Sequence, residues 1–148
     1  MKKTFLIALI IIVSTSYSWS KEDLSRQEPI EVVVKMTEFK FIPNHLEFEA
    51  DKLYKLKLIN IGKTKHEFDS PRLSDKVFTQ KIVVVDKKGN MIAEIKGNPY
   101  EIEVAPEQTV EWWFMPVTSE KETGEIICDI PGHLEAGMRG TVVIISNP

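Results

Sequence analysis

Hydrophobic and polar residues alternate with a period of two along much of this chain. Val32, Val34 and Met36 alternate with Glu31, Val33 and Lys35, and Phe39 and Phe41 with Glu38 and Lys40. Leu46 and Phe48 alternate with Glu47 and Glu49, and Tyr54, Leu56 and Leu58 with Lys55 and Lys57, within a strand expected over Lys52–Asn60. Successive side chains of a strand point to opposite faces, so this pattern predicts strands buried on one side. Val77–Asp86 and Met91–Ile95 predict a hairpin closed by Lys87–Asn90. Tyr100–Val104 and Thr109–Met115 read as a further strand pair, with Val110, Trp112 and Phe114 on one face and Trp113 on the other. Glu125–Cys128 and the β-branched run Gly140–Ser146 complete the set. Breakers separate these segments at Pro43-Asn44, Ala50-Asp51, Gly62, Lys88-Gly89-Asn90, Gly97-Asn98-Pro99, Ala105-Pro106 and Gly124. Only Arg72–Lys76 has room for a helical turn. Many short strands between regular turn signals predict an all-β sandwich or barrel.

The N-terminus breaks this pattern. Lys2 and Lys3 precede an apolar run from Phe5 to Val13, and small polar residues follow to Ser20. That order predicts a secretory signal over residues 1–20. The run is too short to cross a bilayer, which takes about 20 apolar residues, so no stable membrane insertion is expected after cleavage. Residues 21–28 lack periodicity and read as a loose leader, and residues 29–148 as one domain. The expected location is a periplasm.

Export changes the charge. The chain carries 19 basic and 22 acidic residues, and removing Lys2 and Lys3 with the signal leaves 17 against 22. A net charge of −5 argues against nucleic acid or an anionic membrane as the main partner. The single cysteine excludes an internal disulfide. In an oxidising compartment such a thiol is buried or occupied.

Cys128 opens the run Cys-Asp-Ile-Pro-Gly-His-Leu-Glu-Ala-Gly-Met, which ends at Met138. Four residues separate Cys128 from His133, and four more separate His133 from Met138. Gly132 and Gly137 let the loop curl back so that a thiolate, an imidazole and a thioether face one point. His66, after the strand ending at Asn60, supplies a second imidazole at a sandwich end. Thiolate and thioether favour copper, and two imidazoles with one thiolate and a long axial methionine make a blue-copper electron-transfer site. Singly, each residue has a plainer explanation, since a lone cysteine behaves as a small hydrophobe and methionines fill core gaps. It is their combination that points to a metal.

Several segments resemble the cupredoxins, the small blue-copper proteins. They are Phe39-Lys40-Phe41-Ile42-Pro43, the strand ending at Asn60, His66-Glu67-Phe68, Pro106–Thr109 and, most strongly, Cys128–Gly140. The ligand-loop spacing is similar to that of the rusticyanins and auracyanins. The resemblance implies an eight-stranded Greek-key β-sandwich over residues 29–148 that binds one type 1 copper. His66, Cys128 and His133 would be the equatorial ligands and Met138 the weak axial one. Sixty-one residues lie between His66 and Cys128, so the 77–96 hairpin reads as an insertion or an elaborated strand pair.

Counting ligands narrows the function. A multicopper oxidase or copper nitrite reductase needs more histidines than the three present, and a dinuclear copper site needs a second cysteine. Zinc prefers a closed nitrogen and thiolate set without a thioether. The expected function is a monomeric, non-enzymatic one-electron carrier that meets a cytochrome or oxidase through weak docking at an exposed His133. The alternative is a periplasmic protein that buffers or delivers copper to copper-handling partners. His45 is expected to be a solvated turn residue, Met36, Met91 and Met115 core residues, and Glu120–Glu122 a solvated turn. Trp113, on the outward face, could form part of a docking surface but is an exposed aromatic of a common kind. Lys63 with Lys65 make a weak patch that could guide an acidic partner.

Overall fold

Alternation along the chain becomes alternation of burial in a computed structural model, which describes residues 27–146. The expected signal over 1–20 and most of the 21–28 leader lie outside the described residues. Among the described residues no helix is long and apolar enough to cross a membrane.

Strands β1 (Ile30–Thr37), β2 (Lys40–Ile42), β4 (Tyr54–Asn60), β6 (Val77–Val85), β7 (Met91–Ile95) and β9 (Thr109–Pro116) form one sheet in the order β2-β1-β4-β9-β6-β7. Strands β3 (His45–Glu49), β5 (His66–Asp69), β8 (Glu101–Val104), β10 (Glu122–Ile127) and β11 (Arg139–Ile145) form the second, in the order β3-β11-β10-β5-β8. The chain crosses repeatedly between the sheets. β1 therefore runs parallel to β4 with Val34 opposite Leu58, and β3 parallel to β11 with Leu46 opposite Val142. This is the expected β-sandwich, with eleven strands among the described residues against the eight implied. The three-residue β2 and the added β7 account for part of the increase. Among the described residues a single helix, α1 (Pro71–Asp75), starts with proline at its first turn and occupies the predicted helical segment.

Alternate residues of β4 and β9 are buried between the sheets. Trp112, Phe114, Phe48 and Tyr54 pack with ring centroids 4.6–6.0 Å apart, Phe48 edge to face against both Tyr54 and Phe114. Trp112 is buried and donates its indole N–H to Thr79 Oγ1 at 2.9 Å. Trp112→Ala removes the largest buried side chain and orphans that hydroxyl. It should cost roughly 3–5 kcal/mol, read from the midpoint of denaturant unfolding.

Three expectations change. Tyr100–Val104 and Thr109–Met115 are not partners: β8 pairs with β5, while β9 pairs with β4 and β6. Each has the right alternation, but the Ala105–Gln108 turn carries the chain from one sheet to the other, and alternation says nothing about which sheet a strand joins. Met91 is 64% exposed rather than in the core, because β7 pairs only with β6 and is exposed throughout, and Met115 is half-buried on the face of β9 opposite Trp112 and Phe114. Glu122 is not in a solvated turn: it begins β10, and its side chain is 16% exposed between Lys76 at 2.8 Å and Arg72 at 3.6 Å. Lys65 is exposed, and its ammonium contacts Glu103 at 2.6 Å.

Candidate metal centre

Three of the four candidate ligands converge at one end of the sandwich. His66 begins β5, and Cys128 follows β10, the neighbouring strand. β5 and β10 are joined at Asp69 and Ile127, which sets the remote histidine beside the cysteine. His133 comes from the loop between β10 and β11. The donor atoms of His66, Cys128 and His133 all lie within 4.8 Å of one another. Cys128 Sγ is 3.3 Å from His133 Nδ1, and the two imidazole rings lie 5.1 Å apart, centroid to centroid.

The loop is held by its own backbone. His133 N–H donates to Ile130 O at 2.9 Å, Ala136 N–H to Gly132 O at 3.1 Å, and Met138 N–H to His133 O at 3.0 Å. Cys128 N–H closes the loop onto Met138 O at 3.3 Å. Gly132 (φ 88°) and Gly137 (φ 95°) occupy the left-handed region that the two reversals need. Met138 thus returns to the base of the loop, and its side chain is fully buried in the core.

Burial dominates the electrostatics. His66 and Cys128 are fully buried, whereas His133 is 9% exposed and is the member of the trio that reaches the surface. Desolvation pushes the Cys128 thiol up, opposed by the Glu67 N–H that reaches Sγ at 3.3 Å. Desolvation, and then nearby His133, lowers the pKa of His66. Glu67 and Asp69 are pushed up, first by burial and then by neighbouring carboxylates such as Glu101. The rim beside Cys128 is therefore acidic.

The depressed His66 value has a consequence for the metal-free protein. The folded state keeps this imidazole neutral at a pH where the unfolded chain, with its ordinary value of 6.5, takes up a proton. The contribution is complete above pH 6.5 and declines as pH falls from there toward the lowered folded value. One proton gives a slope of at most about 1.4 kcal/mol per pH unit. Urea midpoints of metal-free protein should fall on acidification through this window, and more shallowly in His66→Gln.

A further observation tests whether these residues fit a metal. Both ring nitrogens of His66 are buried without a hydrogen-bond partner. Leaving a buried polar group unpaired costs about 1–3 kcal/mol. The deficit sits beside a buried thiol and a second imidazole, a donor set suited to a soft metal ion. The residues fit.

Other sequence candidates fall away from the cluster. His45 is exposed and bonds Thr141 Oγ1 at 2.6 Å and Glu47 Oε1 at 3.0 Å, as its turn position suggested. Trp113 lies beneath the Lys55 and Lys81 ammonium groups, 5.5 and 4.5 Å from its ring. Two residues near the site lie in segments that carry the family resemblance, but the sequence assigned neither a role. Asn60 is buried and braces the segment before His66: its amide donates to Thr64 O at 2.7 Å and Val104 O at 2.8 Å and accepts from Gly62 N–H at 2.8 Å. Phe39 meets His133 edge-on at 5.2 Å. An amide at the end of a strand and an aromatic in a turn were the only hints.

Comparison with known proteins follows this geometry. A family profile described as a cupredoxin-like domain matches residues 6–128. No curated protein matches the chain. Among solved structures, auracyanin B has a TM-score of 0.51 at 17% identity, with 82% of this chain and 92% of that one covered. A multicopper oxidase from Campylobacter jejuni has a TM-score of 0.58 at 15% identity, with 82% and 31% covered. A copper-containing nitrite reductase from Thermus scotoductus has 0.60 at 10% identity, with 84% and 32% covered. The chain thus spans about a third of each of the two larger proteins. At these identities the likeness shows a shared fold.

Proposed function

The chain belongs to the cupredoxin-like domain family, and from that premise we propose that it is an exported, mononuclear copper protein that carries one electron at a time. One observation carries the reading: His66, buried with both ring nitrogens unpartnered, stands beside Cys128 and His133. His66, Cys128 and His133 would hold the ion, with Met138 as the weak fourth ligand. Copper there supplies a one-electron couple between Cu(II) and Cu(I).

The chain's own residues do the remainder. Fully buried His66, Cys128 and Met138 exclude water from the donor set. The hydrogen-bonded 128–138 loop and the two sheets fix the donors before any ion arrives, so little rearrangement accompanies a change of charge. Glu67 N–H, directed at Sγ, stabilises negative charge on the sulfur. His133 offers the short path to the surface, where exposed Pro131, Gly132, Ala136 and Gly137 frame it. Such a small rim suits brief docking of a cytochrome or an oxidase. We place the protein in a periplasm on the strength of the Lys2–Ser20 pattern.

Electron exchange decides between carrying electrons and handling copper. In stopped-flow mixing, the reduced copper-loaded protein should pass its electron to an oxidised soluble cytochrome while keeping its metal. Prompt loss of copper to a competing copper-binding protein, with negligible electron exchange, would favour buffering or delivery instead.

A further inference from the structure

A single turn delivers consecutive side chains to the two imidazoles. Between β1 and β2 the chain reverses over Thr37–Lys40, with Phe39 at φ 64°. A bulky residue stays in that sparsely populated region only where its surroundings over-determine it. Here the Phe39 ring rests on His133 at 5.2 Å. Glu38, one residue earlier, turns toward His66.

Glu38 is held there by the segment that leads into β5. Its carboxylate accepts the Lys63 N–H and, at 3.1 Å, the Thr37 hydroxyl. Backbone donors, Lys63 first, lower its pKa to about 2, so it is ionised at neutral pH. Gly62 lies between this carboxylate and His66. A Cβ on Gly62 would stand 2.9 Å from Glu38 Oε1 and 2.9 Å from His66 Nε2. The two atoms are thus no further apart than twice that distance. Gly62 is not in the left-handed region, so glycine serves space here rather than conformation. Its missing side chain lets acceptor and donor approach the same small volume.

His66 Nε2 is buried and unpartnered, while a carboxylate has about four acceptor sites. With Nε2 turned toward Gly62, Nδ1 is the nitrogen left for the cluster. A ligating histidine commonly gives its other N–H to a carboxylate or carbonyl, which sets tautomer and ring orientation. We propose that Glu38 is a positioning residue for His66: its carboxylate accepts the Nε2–H, fixes that tautomer and so presents Nδ1 toward Cys128 and His133. The affinity arm of the test below rests on the copper reading; the tautomer arm does not.

Long-range proton–nitrogen NMR of the metal-free chain reads the tautomer directly. The expected spectrum shows His66 protonated at Nε2, its proton protected from exchange and close to the Glu38 methylenes. Exchange of that proton should speed up at least tenfold in E38L, while E38Q, which keeps an oxygen acceptor, retains the tautomer. G62A keeps the carboxylate but forces the pair apart, and should reproduce E38L. Cu(I) affinity should fall roughly 10–100-fold in E38L and G62A. An E38L chain that fails to fold leaves the wild-type and G62A spectra to decide. His66 protonated at Nδ1, or an Nε2–H bonded to Asn60 and indifferent to E38L and G62A, would overturn the proposal. A chain that shows the predicted tautomer but binds no copper would instead overturn the copper reading.

Discussion

Cys128→Ser abolishes the intense visible absorption expected of the copper-loaded protein and leaves the sandwich folded. The thiol is fully buried, 3.3 Å from His133 Nδ1, and receives the Glu67 N–H at 3.3 Å. Strong colour requires a soft, polarizable sulfur that shares charge with the metal, and no other thiol exists in the chain. Serine has a similar shape and can accept the same N–H, but its hydroxyl stays protonated and is a poor copper ligand. The stability of the metal-free variant should therefore change by only about 1 kcal/mol, while the absorption disappears. Paired unfolding curves and visible spectra check both halves. A variant that keeps its colour would remove Cys128 from the site.

Copper stabilises the folded protein strongly, and His66→Ala removes most of that effect. Binding to the folded state alone adds about 4 kcal/mol when free copper is 1,000 times the dissociation constant. The unfolded chain cannot bring His66 to Cys128 and His133, because sixty-one residues separate His66 from Cys128. Substituting alanine deletes the one donor that β5 brings to the Cys128 and His133 cluster. The variant should unfold at its own metal-free midpoint whether or not copper is present. Thermal or urea unfolding of both proteins, with and without one equivalent of copper, measures this. Full stabilisation of His66→Ala by copper would mean that the ion binds elsewhere.

Local chemistry was legible in the sequence, and contacts between distant segments were less so. The alternation in β4 and β9 reappears as burial residue by residue, because one sheet face always meets the core. The Cys128–Met138 loop could be read because its donors are near neighbours and its glycines mark the reversals. His66 could be matched to it by donor chemistry, and neighbouring β5 and β10 bring the two together. Strand pairing was harder. β8 and β9 adjoin in sequence but belong to opposite sheets. Glu122 looked like part of a polar turn because its partners, Lys76 and Arg72, come from α1 and the residue after it. Glu38 and Asn60 gave no sign of their place around His66, since both act through the backbone of residues 62–64. The acidic rim was missed for the same reason: Glu67 faces Glu103, and Asp69 faces Glu101, only once β5 and β8 pair.

His133 was expected to be the exposed ligand, and its 9% exposure makes it a narrow opening rather than an open face. Phe39, His66 and Cys128 all pack against the ring. Electron transfer tolerates such a cover better than ligand exchange does, which agrees with a carrier whose metal stays in place.

Titration of the metal-free protein with copper, followed together by visible absorption and electron paramagnetic resonance, tests the central claim most directly. One equivalent should saturate a single intense, Cys128-dependent band and one Cu(II) resonance. Both should vanish on reduction and return on reoxidation over repeated cycles. Saturation at more than one copper, or a bound ion that is colourless or does not cycle, would contradict a mononuclear electron-carrying site.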